Sequence, residues 1–402
     1  MHVVVLGAGV VGVTTAYYLS RRGCEVTVVD RARDVGDGAS FANAGQLSYS
    51  FTDSLAKPEF LTHIPALMLG RDEGVQVRLT PELVTWGTRF VGQCTRKHAR
   101  ENTLAVLKIA LRSAELMAEL RDVLPFDFWH RKAGKLVLLS NQAEVDAAKS
   151  TLELKRSHGC DTRILSSGEA MAVEPALQQV SEDIAGAVYS KSDEVADSQK
   201  FTAGLKDWLE ATGTVKFRLS SDASKLIARK GRTHAVVVDD EPLEADAFVV
   251  CMGAWSHELL RTVGINPHVF PVRGYSITLP PGEAAPSVSM TALRHRMVYS
   301  RLNGHVRIAG FADFRGFDTS ADNERTKLLL ELARHYAPLA ADYDTHDIQP
   351  WGGFRPMTPN GRPRVGRTRS KGLFVNTGHG MLGWTLACAT SYDAAQAVAE
   401  AH

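Results

Sequence analysis

Apolar and polar positions along this chain repeat with two different periods, and the change from one to the other marks most of its elements. Residues 3–6 are an unbroken, mostly β-branched apolar run, the pattern of a strand buried on both faces. A turn rich in glycine follows, then a helix over 13–22 that Gly23 ends, then a strand over 25–29 that closes on Asp30. Residues 57–124 read as helical, because Leu104, Leu107, Leu111, Ala114, Leu116 and Met117 recur near helical spacing and Pro125 supplies a stop. A strand over 135–139, a helix over 144–158 and a strand over 185–189 come next. Over 197–212, Phe201, Leu205, Trp208 and Leu209 mark one face of an amphipathic helix. Short strands are predicted at 215–219, 225–228 and 235–238. Residues 247–251 are again continuously apolar and lead into a helix near 257–263. Residues 297–308 read as a hairpin turned at Asn303-Gly304. A helix over 321–335, a strand over 373–376 and a helix of small residues to the end complete the pattern.

The order of these elements predicts two interwoven domains. Segments near both termini and in the middle look doubly wound, and those between them look like an antiparallel sheet with helices. No linker rich in Pro and Gly separates the two, which argues for a shared interface.

Composition narrows the function classes. Across 402 residues the formal net charge is +1, and no basic tail or strip of aromatics among Lys and Arg is present. Nucleic acid is therefore not an expected partner. The five cysteines (Cys24, Cys94, Cys160, Cys251, Cys388) stand singly. They offer no C-x-x-C pair and point to a reducing compartment. No metal-ligand cluster and no nucleophile with its base is apparent.

The uncharged stretch from His2 to Leu19 is near the roughly 20 apolar residues of a membrane span. Gly7, Gly9 and Gly12 interrupt it, and it lacks the basic leader of a signal peptide. A strand, a G-x-G-x-x-G turn, a helix, a second strand and a terminal acid in one unit predict dinucleotide binding instead. Gly7 permits the tight turn, Gly9 admits a pyrophosphate to the backbone, and Gly12 lets helix and strand pack. The positive helix terminus then holds the phosphates. Asp30 accepts from a ribose diol and would repel a 2′-phosphate, which disfavours NADP; NAD and FAD both satisfy this motif. A second glycine corner, Gly378-His379-Gly380, lies between the last strand and helix. Its backbone suits approach to a flat ring, and a helix starting near Gly383 aims its positive end at a reduced flavin. A nicotinamide enzyme needs no such second corner, so this feature favours FAD.

The stretches "VVVLGAGVVGVTTAYYL", "ANAGQLS", "VEPAL", "VRGYSITLP", "GFRPMTPNGRPRVGRT" and "VNTGHGMLGWTLAC" occur in this order over residues 3 to about 390. By them the chain resembles the FAD-dependent D-amino acid dehydrogenases of the small-subunit type, within the D-amino acid oxidase and glycine oxidase superfamily. The resemblance implies an α/β fold of GR2 type: an FAD-binding Rossmann domain (1–50, 193–269 and 349–402) interwoven with a substrate domain on a large mixed antiparallel sheet (51–192 and 270–348). It implies non-covalent FAD, held by Val3, Val4, Val5, Leu6, Gly7, Ala8, Gly9, Val10, Val11 and Gly12, with Asp30 and Arg31 at the adenosine ribose. Ser40, Asn43, Ala44, Gly45 and Gln46 would line the flavin, Ala223 the adenine region, and Gly253 the cofactor's path. Gly378, Gly380, Met381, Leu382, Gly383, Trp384 and Thr385 would form the corner at the isoalloxazine. Three departures from the family pattern are Phe41 in place of a small residue, the stretch "LRHRMVY" at 293–299, and an end at His402 where the family usually has a longer tail.

Arg355, in a loop crowded with Gly and Pro, suits a substrate carboxylate through its two-pronged guanidinium; an ordinary surface arginine is the alternative. Tyr275, in a predicted strand, would donate to the same carboxylate. His379 is a candidate base, or a side chain that only bonds backbone. The activity implied is oxidative deamination of a D-amino acid, with hydride passing from Cα to flavin N5 and electrons then to a quinone or other acceptor. The nearest rival acts on secondary amines or imino acids of the glycine, sarcosine or proline type. A cofactor-binding subunit without chemistry and an NAD dehydrogenase are more distant ones. The location implied is cytoplasmic, with peripheral contact at the inner face of the membrane; the oligomeric state is left open.

Overall fold

The computed structural model describes residues 1–401; the predicted last segment, 349–402, therefore ends on a residue outside the described range. The first βαβ unit forms as its pattern requires. The strand His2–Leu6 pairs in parallel with Glu25–Val29, and the helix Val10–Ser20 crosses between them. These are the inner strands of a six-stranded sheet ordered 364–367, 373–377, 247–250, 2–6, 25–29, 215–218. All its pairings are parallel except that of Arg364–Arg367 with Leu373–Thr377. Val3 and Val5 enter the core beneath the helices Val10–Ser20 and Gly383–Ala399, and Val4 and Leu6 enter a second core on the other face. A strand buried on both faces needs such an unbroken apolar run.

A second sheet has eight strands, in the order 349–357, 270–279, 305–313, 297–302, 289–292, 135–139, 186–190, 162–166. Only the pairing of Ser289–Ala292 with Lys135–Leu139 is parallel. Its two faces differ as period-two alternation dictates. One carries Leu136, Leu138, Tyr275, Ile277, Met290, Tyr299 and Ile308 in a core that the helix Asp322–Tyr336 covers with Leu329, Ala333 and Tyr336. The register puts Lys135, Ser289, Ser300, Arg307, Thr278, Ser276 and Arg355 on the opposite face. That polar face meets the segment of residues 42–48: Ser276 donates to the Ala42 carbonyl at 2.6 Å and Arg307 to that of Asn43 at 3.3 Å.

Two expectations need correction. The strand Gln349–Met357, grouped with the cofactor segments, is the edge strand of the second sheet and pairs along its whole length with Phe270–Leu279. The long helical stretch at 57–124 is three helices, Pro58–Met68, Pro81–Gln93 and Arg96–Val123. Pro81 opens the second, and Thr80 and Thr95 cap the second and third through their side chains. The hairpin turns at Asn303 (φ 38°) and Gly304 (φ 81°), the two left-handed residues of a type I′ turn.

Candidate cofactor and substrate site

The three glycines of the first turn are required for different reasons. A Cβ on Gly7 would lie 2.6 Å from the Cys251 carbonyl oxygen, and one on Gly12 would lie 1.8 Å from that of Gly7. Both are therefore demanded by the packing of the chain on itself. Gly9 is not: its backbone is ordinary extended chain (φ −71°), and a Cβ there would meet only the Ser40 hydroxyl at 3.4 Å. The helix Val10–Ser20 has no side-chain cap from its N-cap residue, although Val10 N–H donates to Ser40 Oγ at 3.0 Å. The Asp30 carboxylate accepts from the Ala8 N–H (2.6 Å) and the Ala32 N–H (2.9 Å), which ties the acid to the glycine turn. Ser220 and Ser221 bond the backbone of Ala32 and Asp30, and so bring half-buried Ala223 towards this end. Arg31 stacks its guanidinium 3.9 Å from the Trp255 ring centre. Val3, Val4, Val5 and Leu6 are fully buried in the two cores. Their side chains support the glycine turn from the two cores.

The segment after this turn is tightly held. Asn43 accepts from Gly45 N–H at 2.9 Å and donates to Ser198 Oγ at 2.6 Å. Gly45 is left-handed (φ 67°), and its carbonyl accepts from Ala196 N–H. Ala44 and Gln46 are half-buried, and Gln46 pairs with Val195. Ser48 N–H donates to Thr385 Oγ1 at 3.0 Å, which joins this segment to the C-terminal corner. There Gly378 (φ 80°) and Gly380 (φ 58°) turn the chain, and the helix Gly383–Ala399 starts without a side-chain cap. Gly253 (φ 55°) accepts from the Thr377 hydroxyl, which places the third glycine at the same end of the sheet. Trp384 is buried and donates to the Ala196 carbonyl, Leu382 packs against the cluster of Val106, Ala110 and Leu386, and Met381 is exposed.

Among the three catalytic candidates the structure separates one from the other two. Arg355 is half-buried on the polar face of the eight-stranded sheet. Its guanidinium lies over Gly274 of the neighbouring strand, where a Cβ would sit 2.2 Å from Cζ. Nη1 donates to the Phe311 carbonyl at 2.6 Å, and no carboxylate of the described residues lies within ion-pair distance. Burial lowers its pKa to about 10, against the opposing pull of Asp313 and Tyr275, so it is a cation at neutral pH. Tyr275 is one residue out of phase with Arg355's partner Val272 and therefore points to the helix-covered face. Its hydroxyl donates to buried Asp313 at 2.9 Å, and burial, reinforced by that carboxylate, raises its pKa. Asp313 in turn is paired with Arg325 at 2.9 Å. Tyr275 is thus part of a core network with Asp313 and Arg325. His379 is 4% exposed, and its Nε2 shares a hydrogen bond of 2.9 Å with Thr390 of the C-terminal helix. Burial lowers its pKa to about 4, so the ring is neutral and tethers the corner to that helix. Both side chains are therefore engaged within the fold, Tyr275 by Asp313 and His379 by Thr390.

Lys135 and Arg307 were not foreseen. Arg307 pairs with Asp197 at 3.2 Å and donates to Thr278. Lys135 donates to Gln46 Oε1 and Ser48 Oγ, both at 2.9 Å. A cation inside a strand of otherwise apolar residues was the available signal, since its alternation with Leu136 and Leu138 places it on the non-core face.

The arrangement fits FAD on one direct observation: Gly9 is bare where neither backbone conformation nor packing within the chain needs it to be. Space for a pyrophosphate explains it. The uncapped amino end of Gly383–Ala399 suits a ring that gains negative charge.

Residues 2–397 match the FAD dependent oxidoreductase (DAO) family. The chain is 38% identical over 398 residues to a protein named D-amino acid dehydrogenase 2 from Ralstonia nicotianae, covering 96% of this chain and 94% of the relative. It is 36% identical to the D-amino acid dehydrogenase of Dechloromonas aromatica, covering 99% and 97%. In fold it is similar to glycine oxidase from Geobacillus kaustophilus, with a TM-score of 0.77, 22% identity, and 99% and 94% of the two chains covered. It is likewise similar to L-proline dehydrogenase from P. horikoshii, with a TM-score of 0.74, 18% identity, and 99% and 93% covered.

Proposed function

This chain belongs to the FAD dependent oxidoreductase family, and from that premise we propose that it oxidatively deaminates D-amino acids to 2-oxo acids and ammonia. The observation that carries the reading is the Arg355 guanidinium, free of any described carboxylate within ion-pair distance and set over Gly274 on the polar face. Near-full-length likeness to proteins named D-amino acid dehydrogenase supports the substrate class.

In this reading the Gly7–Gly12 turn, Asp30, Ser40 and the 43–46 segment hold FAD, with the Gly378–Thr385 corner against its ring. FAD, when bound, supplies the two-electron acceptor for the bond at the substrate's Cα. Arg355 binds the α-carboxylate. The Phe311 carbonyl fixes the guanidinium's plane, so two N–H groups can meet two oxygens without a further ordering cost. Holding Cα in one place supplies much of the rate, an effect worth up to roughly 7–11 kcal/mol in favourable cases. His379, neutral and tied to Thr390, does not take the amine proton; the amine loses it to water before reaction. The imino acid released is hydrolysed by water.

Electrons then leave for a quinone or another acceptor. Among the described residues no helix is long and apolar enough to cross a membrane. The exposed Leu55, Met68, Leu69, Leu79, Val84 and Val91, all within 55–91, support peripheral contact with the inner face of the membrane from a cytoplasmic location.

Anaerobic mixing of the yellow protein with D-amino acids, followed at the flavin absorbance, tests the reading. Bleaching by D- but not L-amino acids is expected. Bleaching only by sarcosine, glycine or proline, or a heat extract without flavin, would overturn it.

A further inference from the structure

We propose that Lys135 is a positioning residue for the cofactor-lining segment: its buried ammonium fixes Gln46 and Ser48 and supplies positive charge that favours the reduced state of FAD held against them. The inference rests on the reading above that FAD occupies this site.

Lys135 is 3% exposed, so its charge does not reach water along its stem. Two of its N–H groups end on neutral acceptors, Gln46 Oε1 and Ser48 Oγ, and the ammonium lies 4.3 Å from the centre of the Phe51 ring. Every other strongly buried cation with a described partner is neutralised: Lys155 by Asp53, Arg273 by Asp322, Arg307 by Asp197, Arg325 by Asp313. Among the described residues Lys135 has no carboxylate within ion-pair distance. A buried cation without a directly bonded counter-charge is costly; Asp193 offsets part of that cost from beyond ion-pair distance. Asp193, Asp53 and Lys155 are the charged groups that face it from the adjoining turn, loop and helix. Asp193 Oδ2 and the Ser50 hydroxyl, in adjoining loops, and the hydroxyls of Thr162 and Thr291, on the sheet, are buried without partners.

The two acceptors identify the ligand. Gln46 and Ser48 close the segment that follows the pyrophosphate turn, and Ser48 is bonded to Thr385 at the C-terminal corner. Uptake of two electrons and one proton leaves one added negative charge on the cofactor. A fixed cation behind its lining stabilises that charge and raises the potential. Burial lowers the pKa of Lys135 to about 8, against the opposing pull of Asp193 and with a smaller push from Lys155, so the cation is present at neutral pH and is lost above it.

The test is the midpoint potential of bound FAD in wild type, Lys135→Met and Lys135→Gln. Both variants should keep FAD and show a potential lower by about 30 mV, a tenfold change for a two-electron couple. Wild-type protein provides a second measurement that needs no variant. Its potential should fall more steeply with pH around 8 than on either side. FAD retained with an unchanged potential, or a wild-type profile without that steeper region, overturns the inference and leaves the FAD reading standing. Protein that binds no FAD at all fails the reading itself.

Discussion

Replacing Gly274 with alanine tests the Arg355 assignment without touching Arg355. The added methyl would stand 2.2 Å from the guanidinium carbon, and 2.3 and 2.4 Å from its two terminal nitrogens, so the group must move. Its bond to the Phe311 carbonyl breaks with it. If the guanidinium holds the substrate carboxylate through two charge-assisted hydrogen bonds, each worth about 1.5–3 kcal/mol, displacement costs about 3–6 kcal/mol of transition-state binding. At roughly 1.4 kcal/mol per tenfold, kcat/KM should fall by about 10²- to 10⁴-fold. Arg355→Ala should fall by a similar factor, and the double variant by little more than either, because both remove one interaction. Arg355→Lys keeps the charge but loses the fork, and should sit between them and wild type. The assay is steady-state reduction of an artificial electron acceptor with D-alanine, with bound FAD quantified by absorbance. Gly274→Ala or Arg355→Ala protein that holds FAD and works at the wild-type rate would refute the clamp.

Gly9→Val should leave the apo-protein's Tm nearly unchanged while weakening FAD affinity by well over tenfold, measured by fluorescence titration; Gly12→Ala should fail to fold, because its methyl would meet the Gly7 carbonyl at 1.8 Å. Tyr275→Phe should lose about 1–3 kcal/mol of stability in urea melts, as Asp313 loses a donor, while kcat/KM stays within a fewfold of wild type. His379 is held neutral in the fold to about pH 4, against an ordinary value of 6.5. The unfolded chain therefore binds the extra proton first as pH falls. Stability should drop by about 1.4 kcal/mol per unit between pH 6.5 and 4, and His379→Asn should remove that slope in urea melts across the range.

Much of the framework was legible because it is local. A continuous apolar run followed by glycines and an amphipathic stretch can form little but a buried strand, a turn and a helix, and 2–6, 10–20 and 25–29 form them. The Asn303-Gly304 hairpin was equally plain, since only residues tolerant of left-handed backbone fill both positions of that turn. The helix Ser198–Ala211 follows its apolar stripe and takes Asp197 as its cap. The division at 57–124 was harder to read, because Thr80 and Thr95 cap through contacts made only when the chain stops being helical there.

Sequence alone determined which segments are strands and helices, where the chain must pass close to itself, and which residue types can carry charge or bind an anion. It did not determine which face of the eight-stranded sheet each polar residue occupies. Tyr275 and Arg355 are both polar residues on predicted or crowded segments, yet the register sets one against Asp313 in the core and the other over Gly274. Lys135 is the strand residue its pattern predicts, but Ser289, Gln46 and Ser48 come around it from distant parts of the chain. Pairing between strands far apart in sequence is fixed by the packing of whole faces, and a shift of one residue inverts every side chain. For that reason the fold, and not the motif, decides which candidates meet.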